Sequence, residues 1–466
     1  MQKDLVKTTF RAKLKLTPDL IGLARGFPNK FPALLASTSI NAKTGRYSLL
    51  LCRAKKPIKA FNVKQLKQLL KKVDNKIATT REQNELPFHS GWFLYLSYAS
   101  IKAWEKSLRN IKHDKKQPLA IAIRCKSAII IDHVSHESWL VANSQKRLKK
   151  LQKRLNKFHK SKQNNFNNHL ELQNDEVETY IKNVEKAKQY IKQGDVYQVN
   201  LARYWQVLAK KKIDALALFH TLSQHNPAPF AGFLQSKNFS IISSSPERLV
   251  KLENNIIESR PIAGTRPRHK DPKIDQELIE ELVNHPKEQA EHIMLIDLER
   301  NDLGRVSEVG SVSVDEFMVV ESYKHVHHIV SNVIGRLKPQ TSFYDVIKAV
   351  FPGGTITGCP KIRCMQIIDE LENQARGAYT GSMGYISDDG KMDLNILIRT
   401  FALVNNQLSF QAGAGIVYDS IAKNEAQESM HKAHALISSL EYSKILKSDK
   451  LKETRKTLKN LLDNHV

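Results

Sequence analysis

At 466 residues, 41% of them hydrophobic and 26% charged, the chain is long enough for a large core of ordinary soluble composition. It holds no apolar run of about 18 residues, which excludes a helical membrane span, and "MQKDLVKTTFRAKLKL" lacks the apolar core and cleavage site of a secretory leader. The 73 basic against 47 acidic residues give a net charge of +26, and four scattered cysteines make no disulfide framework, so a reducing cytoplasm is the expected location.

From the amino end, "FPALLAST", "RYSLLLC", "GWFLYLSY", "LAIAIR" and "SAIIIDHV" read as strands, and "FNVKQLKQLLKKVDNKI" carries apolar residues at helical spacing. "SQKRLKKLQKRLNKFHKSKQNN" (144–165) predicts a basic surface helix running into a polar linker. That composition shift divides the chain into a region 1–170 and a second region 175–440. The charge excess could attract nucleic acid, but the lysines are dispersed, with no zinc-finger spacing or aromatic RNA-binding pattern beside them. A non-catalytic basic nucleic-acid-binding protein is therefore a distant alternative.

Beyond the linker, "NDEVETYIKNVEKAKQYIKQGD" predicts a helix stopped at Gly194-Asp195, and "VYQVNLARYWQV" a strand. Strands continue through "FAGFLQ" and "FSIISSSPERLVKLENNIIES" into "RPIAGTRPR" (260–268), where prolines and Gly264 stiffen a turn among Arg260, Arg266 and Arg268. So basic a stretch is expected to attract an anion, although Ala263 at its centre is chemically mute. One helix is predicted over 275–296, strands and helices alternate to about 440, and a basic tail spans 446–466. Neither G-x-G-x-x-G nor G-x-x-x-x-G-K-[ST] occurs in the setting a doubly wound nucleotide-binding fold needs. The pattern predicts an α+β fold of antiparallel sheets packed together and flanked by helices.

Several stretches could carry chemistry. Glu288 and Glu291 are three apart, so on a helix they share a face, and Glu425 and Glu428 repeat the spacing. Four carboxylates from two helices suit a hard divalent cation such as Mg²⁺. "FPGGTITGCPKIRCMQIIDELE" (351–372) is a glycine-rich turn feeding a helix, where backbone N–H groups, Lys361 and Arg363 would favour an anion. "FQAGAGIV" (410–417) reads as a small-residue turn that either lets a ligand approach or simply joins a strand to a helix. In "YKHVHHIVS", alternation puts His325 and His327 on one strand face and His328 on the other, one of them suited to proton transfer. Arg399, inside the apolar "LNILIRTFAL", needs an anionic partner, either an internal carboxylate or a ligand.

Together and in order these motifs resemble the chorismate-utilising enzymes, component I of aminodeoxychorismate synthase and of anthranilate synthase. The resemblance rests on "GDVYQVNLA", "SSSPERLV", "RPIAGTRPR", "AEHIMLIDLERNDLGRV", "HHIVS", "FPGGTITGCPKIRCMQIIDELE", "RGAYTGSMGY", "IRT" and "AGAGIV". It is strong over about 180–440 and weak before it. It implies an anthranilate synthase component I-like region over 1–170, a chorismate-binding catalytic domain over 175–440, and the fold of that family.

The resemblance implies chorismate, a dicarboxylate, as substrate, with Mg²⁺ on one carboxylate. Glu288, Glu291, Glu425 and Glu428 match the acidic magnesium positions, Glu291 and Glu428 as inner ligands. Gly264, Thr265, Thr355, Tyr379, Arg399, Lys432 and the backbone of Gly413, Ala414 and Gly415 match positions that hold the substrate. Glu247 and His328 match those assigned to proton transfer as the C4 hydroxyl is lost. Gln198 stands where related isochorismate and salicylate synthases carry a water-activating lysine, which implies ammonia as the nucleophile. With no G-x-C-x-G-type nucleophile segment in the chain, the ammonia is expected from a separate glutamine amidotransferase subunit.

Two products fit. Aminodeoxychorismate synthases often carry lysine at the position of Ala263, and "PIAGT" is the anthranilate synthase form. "YQVNLA", "NPAPFAGF" and "TITGCPKIRCM" look instead like the aminodeoxychorismate branch. The expected activity is Mg²⁺-dependent amination of chorismate to 4-amino-4-deoxychorismate, for 4-aminobenzoate and folate; anthranilate synthase component I, for tryptophan, is the alternative. Ala36 in "LLAS" departs from the "LLES" associated with tryptophan feedback.

Overall fold

A computed structural model describes residues 9–40, 43–74, 85–158, 170–209, 212–323 and 326–442. His325, the basic tail 446–466 and most of the polar linker lie outside them. The 21 strands described belong to one hydrogen-bonded network, with helices on its outer faces. The fold is α+β, as the pattern of elements predicts.

The strand Ala120–Asp132 shows how sequence builds these layers, because it merges two strands predicted separately. Ile121, Ile123 and Cys125 point into a core made almost entirely of strand residues, together with Phe93, Tyr95, Leu234 and Ile241. Their neighbours Ala120 and Ala122 face the other way, onto Leu66, Leu69 and Leu70 of the helix Val63–Val73. That helix starts where the Asn62 side chain accepts from the Gln65 N–H, and its apolar spacing buries one face. At Lys126 the register slips: Cys52 pairs with Ser127 but Arg53 with Cys125. One extra residue reverses the alternation. Beyond it the even positions Ala128 and Ile130 enter the strand core, while Ile129 turns toward Leu148 and Leu151 of the basic helix Gln145–Asn156.

Strands from both sides of residue 170 interleave. Gly91–Leu96 pairs with Ser382–Ser387, and Ala33–Ala36 with Phe230–Ser236. Gln198–Ala209 pairs along its length with Gln407–Ile416, so "FQAGAGIV" is strand to Ile416 rather than turn. The helix predicted over 275–296 is two, Pro272–Asn284 and Pro286–Gly304. Pro286 has no N–H to continue the first helix and holds His285 in an extended conformation (φ −75°, ψ 112°), so helical spacing runs through a break.

Candidate active site

The strand pair Gln198–Ala209 and Gln407–Ile416, the helices Pro286–Gly304 and Ala422–Tyr442, and the hairpin of Ile262–Pro267 with Val326–Arg336 supply the site. Glu247 is buried just before the strand Arg248–Glu253, and the Thr355 hydroxyl donates to its Oε1 at 2.6 Å. Burial pushes the Glu247 carboxyl up to about 7, against the Thr355 hydrogen bond and the charges of Lys432 and Arg399. Tyr379 is buried too, and desolvation raises its phenol to about 12. Lys432 donates to the Gly413 carbonyl at 3.1 Å and to Glu428 at 2.6 Å.

Arg399 is the unusual cation. Among the described residues its guanidinium has no ion pair or side-chain hydrogen bond, and burial lowers its pKa while Glu247 opposes. Its φ of 50° is left-handed, a strained conformation for a residue with a side chain. A partly buried guanidinium is costly without an anion, and among the described residues the internal carboxylate that could answer it does not form an ion pair with it.

The glutamates approach one another across two helices. Burial raises Glu291, and repulsion from Glu288 and Glu428 adds to it, while the Gln198 carboxamide donates to its Oε1 at 3.0 Å. Burial also raises Glu425, with Glu428 adding to it. Arg266 holds Glu288 at 3.3 Å. A methyl on Gly415 would overlap the Gln198 carboxamide nitrogen, which ties that glycine to the Glu291 contact. Among the described residues no three His, Cys, Asp or Glu side chains converge closely enough to ligate a metal as they stand. In chemistry the set fits a hard cation: all donors are carboxylate oxygens, and their mutual repulsion is what a divalent charge relieves.

The arginines of "RPIAGTRPR" all have carboxylate partners within the protein. Arg260 pairs with Glu316 and Glu321, Arg266 with Glu281 and Glu288, and Arg268 with Asp275. Lys361 and Arg363 are likewise spent, on Asp302 and Asp195. In both basic stretches these charges meet protein carboxylates at short range.

Of the three histidines in "YKHVHHIVS", the two described, His327 and His328, diverge as strand alternation requires. His327 Nε2 lies 3.0 Å from Asp275, and its Nδ1 lies 2.8 Å from Ser322. His328 faces the site, its Nδ1 2.9 Å from Thr265 Oγ1 and 3.4 Å from the Gly264 carbonyl. Gly264, at φ 63° in the bulge between Ala263 and Thr265, sets Thr265 opposite His328. Ala263 packs with Leu295 and Leu298 in a small apolar cluster. Two contributors were not singled out from sequence. The Tyr323 ring meets His328 edge-on at 5.9 Å. Glu299 continues the face of Glu288, Glu291 and Leu295, and burial, then Asp302, pushes it up to about 7. The i, i+4 step from Glu291 to Leu295 to Glu299 was the signal available.

The chain is similar to known proteins over much of its length. An anthranilate synthase component I-like protein of Synechocystis sp. is 44% identical over 360 residues, 76% of this chain and 74% of that protein. Aminodeoxychorismate synthase component 1 of Bacillus subtilis is 51% identical over 261 residues, 56% of this chain and only 55% of that protein. The crystal structure of anthranilate synthase component I from Streptococcus pneumoniae TIGR4 superposes with a TM-score of 0.71 at 32% identity, covering 84% of this chain and 92% of that one. Residues 36–438 match the family described as chorismate binding enzyme, and with that span the chain belongs to it, as a chorismate-utilising enzyme of the aminodeoxychorismate and anthranilate synthase type.

Proposed function

We propose that this protein is the synthase component that aminates chorismate to 4-amino-4-deoxychorismate, using ammonia released by a glutamine amidotransferase partner. The observation that carries amination is the placement of Arg399, a guanidinium with no ion pair among the described residues, within electrostatic reach of Glu247, a buried carboxyl able to hold a proton near neutral pH. Arg399, Tyr379, Lys432 and the backbone of Gly413, Ala414 and Gly415 bind and orient the carboxylates and the enolpyruvyl group. Protonated Glu247, held by Thr355, gives its proton to the departing C4 hydroxyl, which leaves as water. His328 handles the second proton. Glu291 and Glu428, with Glu288 and Glu425, would hold Mg²⁺, which supplies positive charge to a substrate carboxylate. Gln198 holds Glu291 and brings no amine that could activate water, which supports ammonia as nucleophile.

Attack at C4 rests on the segments "YQVNLA", "NPAPFAGF" and "TITGCPKIRCM". One observation favours the second reading, anthranilate: Ala263 sits against Leu295 and Leu298, so no amine at that position blocks direct attack at C2. The product decides. Purified protein with chorismate, Mg²⁺ and ammonium is expected to consume chorismate, release little fluorescent anthranilate, and yield 4-aminobenzoate once an aminodeoxychorismate lyase is added. Direct anthranilate release overturns the C4 assignment, and no chorismate consumption overturns amination itself.

A further inference from the structure

An imidazole has two nitrogens, and which one carries the proton decides whether the ring can accept or give one at the reacting face. His328 lies in the strand Val326–Arg336, directly opposite Thr265 in the paired strand Ile262–Pro267. Both of its hydrogen-bond neighbours among the described residues are at Nδ1: Thr265 Oγ1 at 2.9 Å and the Gly264 carbonyl at 3.4 Å. A hydroxyl can donate or accept, so Thr265 alone leaves the tautomer open. The Gly264 carbonyl can only accept, so a bare Nδ1 lone pair would face two oxygens. The proton therefore belongs on Nδ1, where it is shared toward both oxygens. The bulge supplies this arrangement: at φ 63° Gly264 turns its carbonyl and the following Thr265 toward one ring nitrogen.

The other nitrogen is left to the site. Among the described residues Nε2 of His328 has no hydrogen-bond partner. Burial pushes the imidazole down to about 4, the Arg399 charge adding to it, so the ring is neutral at physiological pH. Behind the ring lies a chain of contacts. The Tyr323 ring lies edge-on to it, the Tyr323 hydroxyl donates to Glu321 at 2.6 Å, and Arg260 pairs with the same Glu321.

We propose that Thr265 is a positioning residue that, with the Gly264 carbonyl, fixes His328 as the Nδ1–H tautomer and so makes Nε2 the proton acceptor of the reaction. Thr265 thereby acts through His328 rather than on the substrate. What the base does rests on the amination reading; the tautomer does not. In that reading the C4–N bond forms from the ammonia lone pair, and Nε2 takes one proton from the new ammonium nitrogen. The C4–O bond breaks with its electron pair on oxygen, which takes the Glu247 proton and departs as water. The imidazolium then returns its proton to the Glu247 carboxylate, restoring both groups.

The test reads the tautomer and the kinetics separately. Full-length protein labelled with ¹⁵N-histidine, compared with a His328→Asn variant to assign the signal, is expected to show at pH 7 a neutral His328 with Nδ1 protonated and Nε2 bare. Thr265→Val is expected to shift the ring toward a mixture of tautomers. It should lower kcat for ammonium-dependent chorismate consumption by about 10- to 100-fold with KM for chorismate little changed. Thr265→Ser should restore most of the lost rate and the wild-type signal. A protonated Nε2 in the wild-type protein overturns the proposal, as does a Thr265→Val variant whose defect is a raised KM or whose tautomer is unchanged. The wild-type tautomer is measured without a Thr265 variant or substrate, so an unstable Thr265→Val protein still leaves the proposal open to refutation. A wild-type protein inert toward chorismate would count against amination and not against the tautomer.

Discussion

In the proposed amination a carboxyl group must deliver a proton near neutral pH and so has to be kept from ionising first; burial raises Glu247 to about 7, which suits that role. The sign has two consequences. As a general acid Glu247 works protonated, so turnover at constant free ammonia should fall as pH rises through about 7, and Glu247→Gln should lose about 100-fold or more. Stability moves the other way. In the unfolded chain a glutamate titrates near ~4.3. A folded-state value raised above that contributes stability that is complete below ~4.3 and is lost as pH climbs through the folded value. Glu247→Gln should therefore melt close to wild type at pH 4 and above it at pH 8, by at most about 4 kcal/mol. Thermal melts at the two pH values check this, and a difference that does not grow with pH would show that Glu247 ionises freely in the folded protein.

Elements place the charges, and here the sequence was legible only in part. The carboxylate face of the helix Pro286–Gly304 could be read from local spacing, as could the basic helix Gln145–Asn156, because a helix fixes which neighbours share a side. The purpose of "RPIAGTRPR" could not. Its arginines are answered by Glu316 and Glu321, more than fifty residues on, and by Asp275, Glu281 and Glu288 from the two following helices. Proximity in the chain says nothing about those meetings. The expectation that this stretch draws in an anionic substrate and the finding that its arginines pair with carboxylates on a strand and two helices predict different behaviour. Arg260→Gln would leave two glutamates without their shared cation, so urea unfolding should show a loss of about 3 kcal/mol. The salt dependence of the KM for chorismate should stay that of wild type; a steeper or flatter dependence would restore Arg260 to long-range attraction. Ala263 and Gly264 teach the same lesson: their motif was plain, but the bulge that turns Thr265 toward His328 depends on a partner strand about sixty residues away.

Across the whole molecule the strands before residue 170 are not a separate layer set beside the rest. Ala33–Ala36 and Gly91–Leu96 are hydrogen-bonded to Phe230–Ser236 and Ser382–Ser387, and side chains from both parts fill one strand core. Removing the first part would strip two later strands of a neighbour and expose that core. Chemical denaturation followed by tryptophan fluorescence and by far-ultraviolet circular dichroism is thus expected to give coincident single transitions. Two separated transitions would mean that the parts fold independently. The same interleaving orders events in time. Glu425, Glu428 and Lys432 lie on Ala422–Tyr442, and Gly413 to Gly415 come shortly before them, paired with residues more than two hundred positions earlier. During synthesis the early strands are therefore expected to wait, with part of their apolar faces uncovered, until the last described helix has emerged. A fragment released before that helix would lack Glu425, Glu428 and Lys432 and would leave uncovered the core that Met430, Ala433, Leu436 and Leu440 close, so on the proposed reading solubility and activity depend on the same stretch of sequence.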